Sequence, residues 1–415
     1  MEITTATQPT DRKRTIAKRS KSENFLLILM MGALNTITPI SIDMYLPAFP
    51  KIAADLHTSI GNVALSVSTY FFGFSVGQIL YGPLLDRFGR KRPLYIGLCF
   101  YVAATIGCAL SNSIEMLLLI RFIQALSGCV ASVAAMAMVL DFFPSDKSAG
   151  IISLLILILG VSPLLAPTAG SFIVAVSNWR FVFVVLAIIA VIILICVFFF
   201  LPEGRQPDIT VSLMPKQIIN GFKNILLEPR FHIYALAGTF SFAGLFVYVA
   251  GSPAVFMDEF HVSPKVYGGI FAGLSIGFIG SSQLNHFFTR RFRNEEILKV
   301  VLTTQFITSI IFLTGSLNAW WGLAATICFL FVILACAGLT YPNASAVALN
   351  PFTENAGTAS ALLGFIQIGI GGLISVGVGV LPFRGTLSLA LIMAISAGIA
   401  FGILMIGRTA AKNRK

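Results

Sequence analysis

Long apolar runs separated by short polar stretches dominate the chain. Most are about 18–25 residues long, the length at which an α-helix crosses a hydrocarbon core. The runs fall at roughly 24–46, 62–81, 93–110, 115–139, 149–176, 181–201, 232–253, 266–288, 297–316, 320–341, 357–381 and 386–407, which predicts twelve spanning helices. Some junctions are very short, such as Ser111-Asn-Ser-Ile114 and the few residues around Asn318. The longest interior polar segment, Pro202 to Arg230, divides the runs into six and six. The expected organisation is a basic tail (1–22), a six-helix half (23–201), a linker (202–230), a second half (231–407) and a short tail (408–415). Within the linker, Met214 to Leu227 reads as a weakly amphipathic helix, which suits either the membrane face or a structured connection with no lipid role.

Composition agrees with this pattern. Hydrophobic residues make up 57% of the chain and charged residues 11%, against about 25% charged in a soluble domain. Mean hydropathy is +0.90. The fold class expected is an all-α polytopic membrane protein. The polar, basic tail and the length of the first run argue against a cleaved signal peptide. A net charge of +11 raises the question of nucleic acid, and the positions of the cations answer it. If both termini lie on one side, that side carries 23 Lys and Arg in its tails and loops and the other side carries four. The basic excess is thus a topology signal that places both termini in the cytoplasm, and no nucleic-acid partner is expected. Six Cys all lie in apolar runs and four His are scattered near loop ends, so no metal or cofactor is expected.

The candidate chemistry begins with Asn35-Thr-Ile-Thr-Pro-Ile-Ser-Ile-Asp-Met-Tyr-Leu-Pro47 in the first run. Asp43 has no neighbouring Lys or Arg. A carboxylate at membrane depth costs roughly 3 kcal/mol or more unless it is protonated, solvated or paired, so it is a functional candidate by default. The alternative is that the helix ends before Asp43, between Pro39 and Pro47, and leaves an ordinary acid in water at the outer mouth. Of the seventeen acids, Asp43 alone is expected in mid-membrane. Arg121 in the fourth run is a buried cation in need of a partner. A structural role, bonded only to backbone carbonyls, is the alternative for it. Polar and aromatic residues that suit a central cavity are Asn35, Tyr70, Phe71, Phe74, Gln78, Gln124, Phe246, Tyr248, Gln283, Tyr341 and Gln367.

The most specific stretch is Gly82-Pro-Leu-Leu-Asp-Arg-Phe-Gly-Arg-Lys-Arg92. Gly82 and Gly89 permit tight backbone paths, and Asp86 can accept from Arg87 or Arg90. A weaker counterpart, Arg290-Arg-Phe-Arg293, follows about half a chain later. Such a repeat suits a transporter whose site lies where two halves meet. Pro163 and Pro167 stand four apart in the fifth run, between Gly160 and Gly170, and so share a helix face.

Here the chain resembles the major facilitator superfamily. The Gly82–Arg92 loop is similar to that family's signature loop, which implies a conformational latch built on Gly82, Asp86, Arg87, Gly89 and Arg90. Arg121-Phe-Ile-Gln-Ala-Leu-Ser-Gly128 resembles a second motif, with Ala125 where Gly is usual, and implies that Arg121 serves proton coupling together with Asp43. Leu159 to Gly170 resembles the helix 5 motif of proton-driven exporters (Gly160, Pro163, Pro167, Gly170). Ser41 to Pro50, Leu165-Ala-Pro167, Trp179-Arg180 and Gly357 to Gly364 together resemble the bicyclomycin-resistance branch. Leu140 departs from the Arg-Asp often found there, so an ionic contact at the inner end of helix 4 is expected to be missing or replaced.

The resemblance implies a twelve-helix bundle in two halves around a central cavity, in a bacterial inner membrane, working as a monomer. It implies a non-enzymatic drug:proton antiporter driven by the proton motive force without a cofactor. The cavity residues weighed most for substrate are Asn35, Asp43, Tyr70, Phe74, Gln124, Phe246, Tyr248 and Gln367. An exporter of an endogenous metabolite is the other reading.

Overall fold

Serines placed just before apolar runs start several helices in the computed structural model. It describes residues 20–204, 206–209, 222–352, 356–381 and 385–412. The basic tail up to residue 19 and most of the expected 214–227 helix lie outside these residues. Ser20 and Glu23 cap α1 (Lys21–Asp43) reciprocally, at 3.1 and 2.7 Å. Ser59 caps α3 (Ile60–Phe88) and Ser113 caps α5 (Ile114–Phe142), each accepting a backbone N–H of the first turn. Between them lie α2 (Phe49–Asp55) and α4 (Lys91–Ala109). The first half closes with α6 (Ser145–Val176) and α7 (Arg180–Phe200). The second half comprises α8 (Pro229–Pro253), α9 (Pro264–Phe288), α10 (Asn294–Leu317), α11 (Leu323–Leu349), α12 (Ala356–Val380) and α13 (Gly385–Lys412). Among the described residues, ten stretches are long and apolar enough to cross a membrane.

Two of the boundaries that differ from the sequence expectation bear on the candidate residues, each for a physical reason. Helix α1 stops at Asp43 because Pro47 has no N–H to give the Asp43 carbonyl and its ring crowds that carbonyl. A 3-10 turn (Leu46–Ala48) and α2 then carry the chain onward. Helix α3 instead runs seven residues past its expected end, through Asp86 and Arg87, until Gly89 breaks it at φ +82° and ψ 172°. Gly82 is therefore a helical residue with open space where a Cβ would stand, and makes no tight turn.

The two halves repeat each other at the end opposite the basic loops. Asp55-Leu-His-Thr-Ser59 begins at the last residue of α2, and Glu259-Phe-His-Val-Ser263 begins at the last residue of a π-helical turn (Ala254–Glu259) that extends α8. His57 and His261 both have positive φ, 51° and 52°, and both serines cap the next helix. In the first half, Asp55 accepts hydrogen bonds from Arg180 and from Trp179 Nε1 (2.9 Å), and Arg180 donates to the Ser111 carbonyl (3.2 Å). In the second, Glu259 accepts from Thr386 N (2.7 Å). Each half thus has its far-end turns clipped together.

The halves meet through α3 against α12 and α6 against α9. Ser68 Oγ and Ser375 Oγ are 2.7 Å apart, and Ser171 Oγ donates to the Pro264 carbonyl (2.8 Å). The cores follow the same division. At the far end one apolar cluster takes residues from both halves, Tyr45 and Phe71 with Phe246 and Phe271. At the basic end each half keeps a cluster of its own.

Candidate functional site

Asp43 ends α1 because of Pro47, and it is enclosed in the bundle, 4% exposed. It is not an acid in water at the mouth. Its carboxylate borders a cavity of about 160 Å³ whose walls come from both halves. Pro39 and Ile42 (α1), Phe71 (α3) and Gly160 and Pro163 (α6) face Phe246 and Tyr248 (α8), Phe271, Ser275 and Phe278 (α9) and Leu334 (α11). Phe271 and Phe278 stand 7 and 14 residues into α9 from its far end, so the cavity lies roughly 10–20 Å below that end, about halfway along the bundle. Among the described residues, no hydrogen bond or ion pair reaches the Asp43 carboxyl. The phenols of Tyr248 and Tyr267 lie within its electrostatic reach. Tyr267 bonds Ser252 (2.9 Å), whereas the Tyr248 hydroxyl is buried with no partner. A buried carboxyl and a buried phenol without partners, in otherwise apolar walls, are groups for a proton or a ligand to satisfy.

Aromatic rings furnish the walls. Phe71 meets Phe246 edge-on across the boundary between halves, with centroids 4.5 Å apart. Tyr248 stacks on Phe271 at 5.2 Å. Toward the basic end Phe242 links Phe246, Phe278 and Tyr341.

Arg121 lies elsewhere, enclosed in the first half. It is fully buried and donates to Gln124 Oε1 (2.7 Å) and to the Ser41 carbonyl (3.1 Å). Its guanidinium sits 4.3 Å from the Tyr45 ring, 4.4 Å from Tyr70 and 5.8 Å from Phe183. No carboxylate pairs with it among the described residues, and its Nε has no partner. Gln124 is held in turn by Thr105 (2.8 Å), and Ser41 by Tyr101 (2.5 Å). Ser41 and Asp43 are two residues apart in α1, hence on opposite faces. One face meets the arginine and the other meets the cavity.

Of the residues expected around substrate, the structure brings Asp43, Phe246 and Tyr248 to one cavity. Asn35 is buried and donates to the Leu155 carbonyl (3.4 Å) inside the first half. Tyr70 and Gln124 belong to the Arg121 cluster. Phe74 packs in the apolar core. Gln367 is buried with its Nε2 unpartnered and does not border the cavity. Gln78 lies against Gly364, and Gln283 is exposed. Phe71, Leu245, Phe271 and Phe278 complete the walls. Of these, Leu245, Phe271 and Phe278 were not singled out from sequence, where an apolar residue facing a cavity looks like one facing lipid. Gly160 and Pro163 border the cavity as well, and Gly170 lets α6 approach the Met44 carbonyl.

The Gly82–Arg92 stretch holds two ion pairs. Arg90 bonds Asp86 Oδ1 and Asp141 Oδ2, both at 2.8 Å, and Glu203 accepts the backbone N–H of Arg90 (2.7 Å) and of Lys91 (3.1 Å). The ionic contact at the inner end of the fourth spanning helix is therefore present, through Asp141, while Leu140 beside it is exposed. Burial acts to lower the Arg90 pKa, but the bonds to Asp141 and Asp86 outweigh it and hold the guanidinium above its ordinary value.

Apolar helices in two halves, sharing a core at one end and enclosing an acid-bearing cavity midway, make a multi-pass membrane transporter. The chain belongs to the Major Facilitator Superfamily, whose family model matches residues 31–376. It is 30% identical over 360 residues to the uncharacterized MFS-type transporter YdgK of Bacillus subtilis, covering 86% of this chain and 89% of that one. It is 28% identical over 355 residues to a bicyclomycin resistance protein homolog of Haemophilus influenzae, covering 85% and 88%. To the multidrug resistance protein MdtL of Escherichia coli it is 27% identical over 385 residues, covering 88% and 94%. The fold matches the crystal structure of a D-xylose–proton symporter with a TM-score of 0.72 at 14% identity, covering 91% of this chain and 97% of that one. It also matches an inward-facing bacterial homologue of the lysosomal transporter Spinster with a TM-score of 0.64 at 17% identity, covering 95% and 96%.

Proposed function

We propose that this protein is a proton-coupled exporter of small amphipathic compounds, antibiotics such as phenicols or bicyclomycin among them, in a bacterial inner membrane. The observation that carries the reading is the unpaired, buried Asp43 carboxyl facing an aromatic cavity built by both halves. A carboxyl in such a place changes charge at a high desolvation cost, which a change of access to water offsets. Proton and substrate then compete for one cavity while the halves rock about it, and no cofactor enters the cycle. The names of the bicyclomycin-resistance and multidrug-resistance relatives support the substrate class. The distribution of Lys and Arg supports a cytoplasmic basic end and cytoplasmic termini. In that orientation the shared core closes the outer side and the Arg90 cluster braces the inner side of the first half. The protein acts as a monomer, since the cavity is complete within one chain.

The test is a drug-susceptibility panel in an efflux-deficient host, with drug-driven proton release measured on the purified protein. Asp43→Asn should reduce resistance to the host background and abolish proton release, with folded protein still in the membrane. Wild-type efflux from Asp43→Asn would remove the coupling role. A panel without any protected drug, with metabolite release from overexpressing cells, would replace the substrate class.

A further inference from the structure

At the basic end the two halves carry corresponding loops with opposite charge balance. In the first half, acids surround the cation: Arg90 bonds Asp86 and Asp141, and Glu203 accepts the backbone behind it. In the second half, Arg290-Arg-Phe-Arg293 aligns with Asp86-Arg-Phe-Gly89, so arginines stand where the first half has its acid and its glycine. Arg290 leans on His286 (2.8 Å) and on the Phe287 ring (5.9 Å). Among the described residues, no carboxylate lies within ion-pair distance of Arg290, Arg291, Arg293 or Lys299. Glu295 and Glu296 stand nearby in the first turn of α10, where Glu296 accepts the Arg293 backbone N–H (3.1 Å). Four cations and the positive end of the α10 dipole outweigh these two acids.

Beside the arginines runs a groove of about 390 Å³ between the end of α9, α10 and α11. Apart from Glu296 at one end and Thr304 at the other its walls are apolar, with Phe288, Phe292, Val300 and Leu339 among them. The Thr304 hydroxyl at its deep end is turned back to the Val300 carbonyl (3.0 Å). From Glu296 to Thr304 the groove follows α10 for about 12 Å. It thus starts at Glu296, three residues along the chain from Arg293, and runs toward the middle of the helices, along a face exposed to the surroundings of the bundle. A soluble anion would satisfy the arginines and leave the groove bare. A zwitterionic lipid would bring its own cation against four others.

We propose that this face binds one anionic glycerophospholipid, with its phosphate among Arg290, Arg291 and Arg293 and an acyl chain along α10. The lipid supplies to the second half the negative charge that Asp86, Asp141 and Glu203 supply to the first. It also ties the end of α9 to α10 and α11.

The experiment is native mass spectrometry of the full chain, taken from a mixture of phosphatidylglycerol and phosphatidylethanolamine. The wild type should retain phosphatidylglycerol in preference. In the triple variant Arg290→Gln/Arg291→Gln/Arg293→Gln that preference should fall by about tenfold or more. Val300→Trp fills the groove with the cations intact and should weaken retention of phosphatidylglycerol while leaving the protein monodisperse. Lys265→Gln, at the far end, should retain lipid like the wild type. Equal retention by the triple variant and the wild type would overturn the proposal. So would equal retention by Val300→Trp, or displacement of the lipid by millimolar inorganic phosphate.

Discussion

Arg121 is a fully buried cation held without an acid. Three aromatic faces, one amide oxygen and one carbonyl do the work of a counter-ion. Each desolvated cation–π contact contributes up to about 2 kcal/mol, and the planar fork lets one group reach Gln124 and Ser41 at once. Lysine keeps the charge and loses the fork. Arg121→Lys should therefore lower stability by about 2 kcal/mol, the value of one charged hydrogen bond lost in a buried site, read as a lower unfolding midpoint in detergent. If Arg121 also serves proton coupling, the same variant should bind drug and release fewer protons per drug bound. Unchanged stability would mean that the cage reforms around the ammonium. Asp43 is the counterpart of this group, an unpaired acid on the opposite face of α1. The two charges are kept apart in this state, each without the other's compensation.

At the level of elements, two glycines in one motif should respond with opposite signs. Gly89 has a backbone conformation that is almost confined to glycine, and a Cβ there would stand 3.2 Å from Glu203 Oε1. Gly89→Ala should cost about 1–3 kcal/mol and loosen the Arg90 cluster. Gly82 is helical with open space around it, so Gly82→Ala should be neutral or stabilise by up to about 1 kcal/mol. Unfolding midpoints of the two variants check both signs. This contrast was not legible in the sequence, because Asp86 and Arg87 look like loop residues while folding as the last turn of α3. The helices themselves were legible, since an apolar run of spanning length has few other structures open to it. The cavity was legible only in part. Asp43 stands out by charge, but Asn35, Gln124 and Tyr70 carry polarity on helices with two buried faces, and periodicity does not say which face meets the other half. The far-end repeat, acid–apolar–His–x–Ser at 55–59 and 259–263, was a readable signal that went unread because its residues lie between the apolar runs.

For the whole molecule, the decisive feature is that the far end has one apolar core shared by the halves, whereas each cluster described at the basic end belongs to one half alone. Any cycle that exposes Asp43 to the far side must divide the shared core. It must also part Ser68 from Ser375, whose hydroxyls now lie 2.7 Å apart across the boundary of the halves. A disulfide at that point would hold the far end shut. With the exposed Cys99 and Cys328 replaced by Ser, the pair Ser68→Cys and Ser375→Cys should cross-link under mild oxidation, since side chains in direct contact suit disulfide geometry. Efflux should then fall to the level of membranes without the protein and return on reduction, while each single variant keeps its rate under both conditions. Drug binding measured from the basic side should survive the cross-link, because the walls around Asp43 are built and the halves need not part there to admit it. Full-rate efflux by quantitatively cross-linked protein would show that the far end never opens at α3 and α12, and would move the gate to the contact of α6 with α9, where Ser171 meets Pro264.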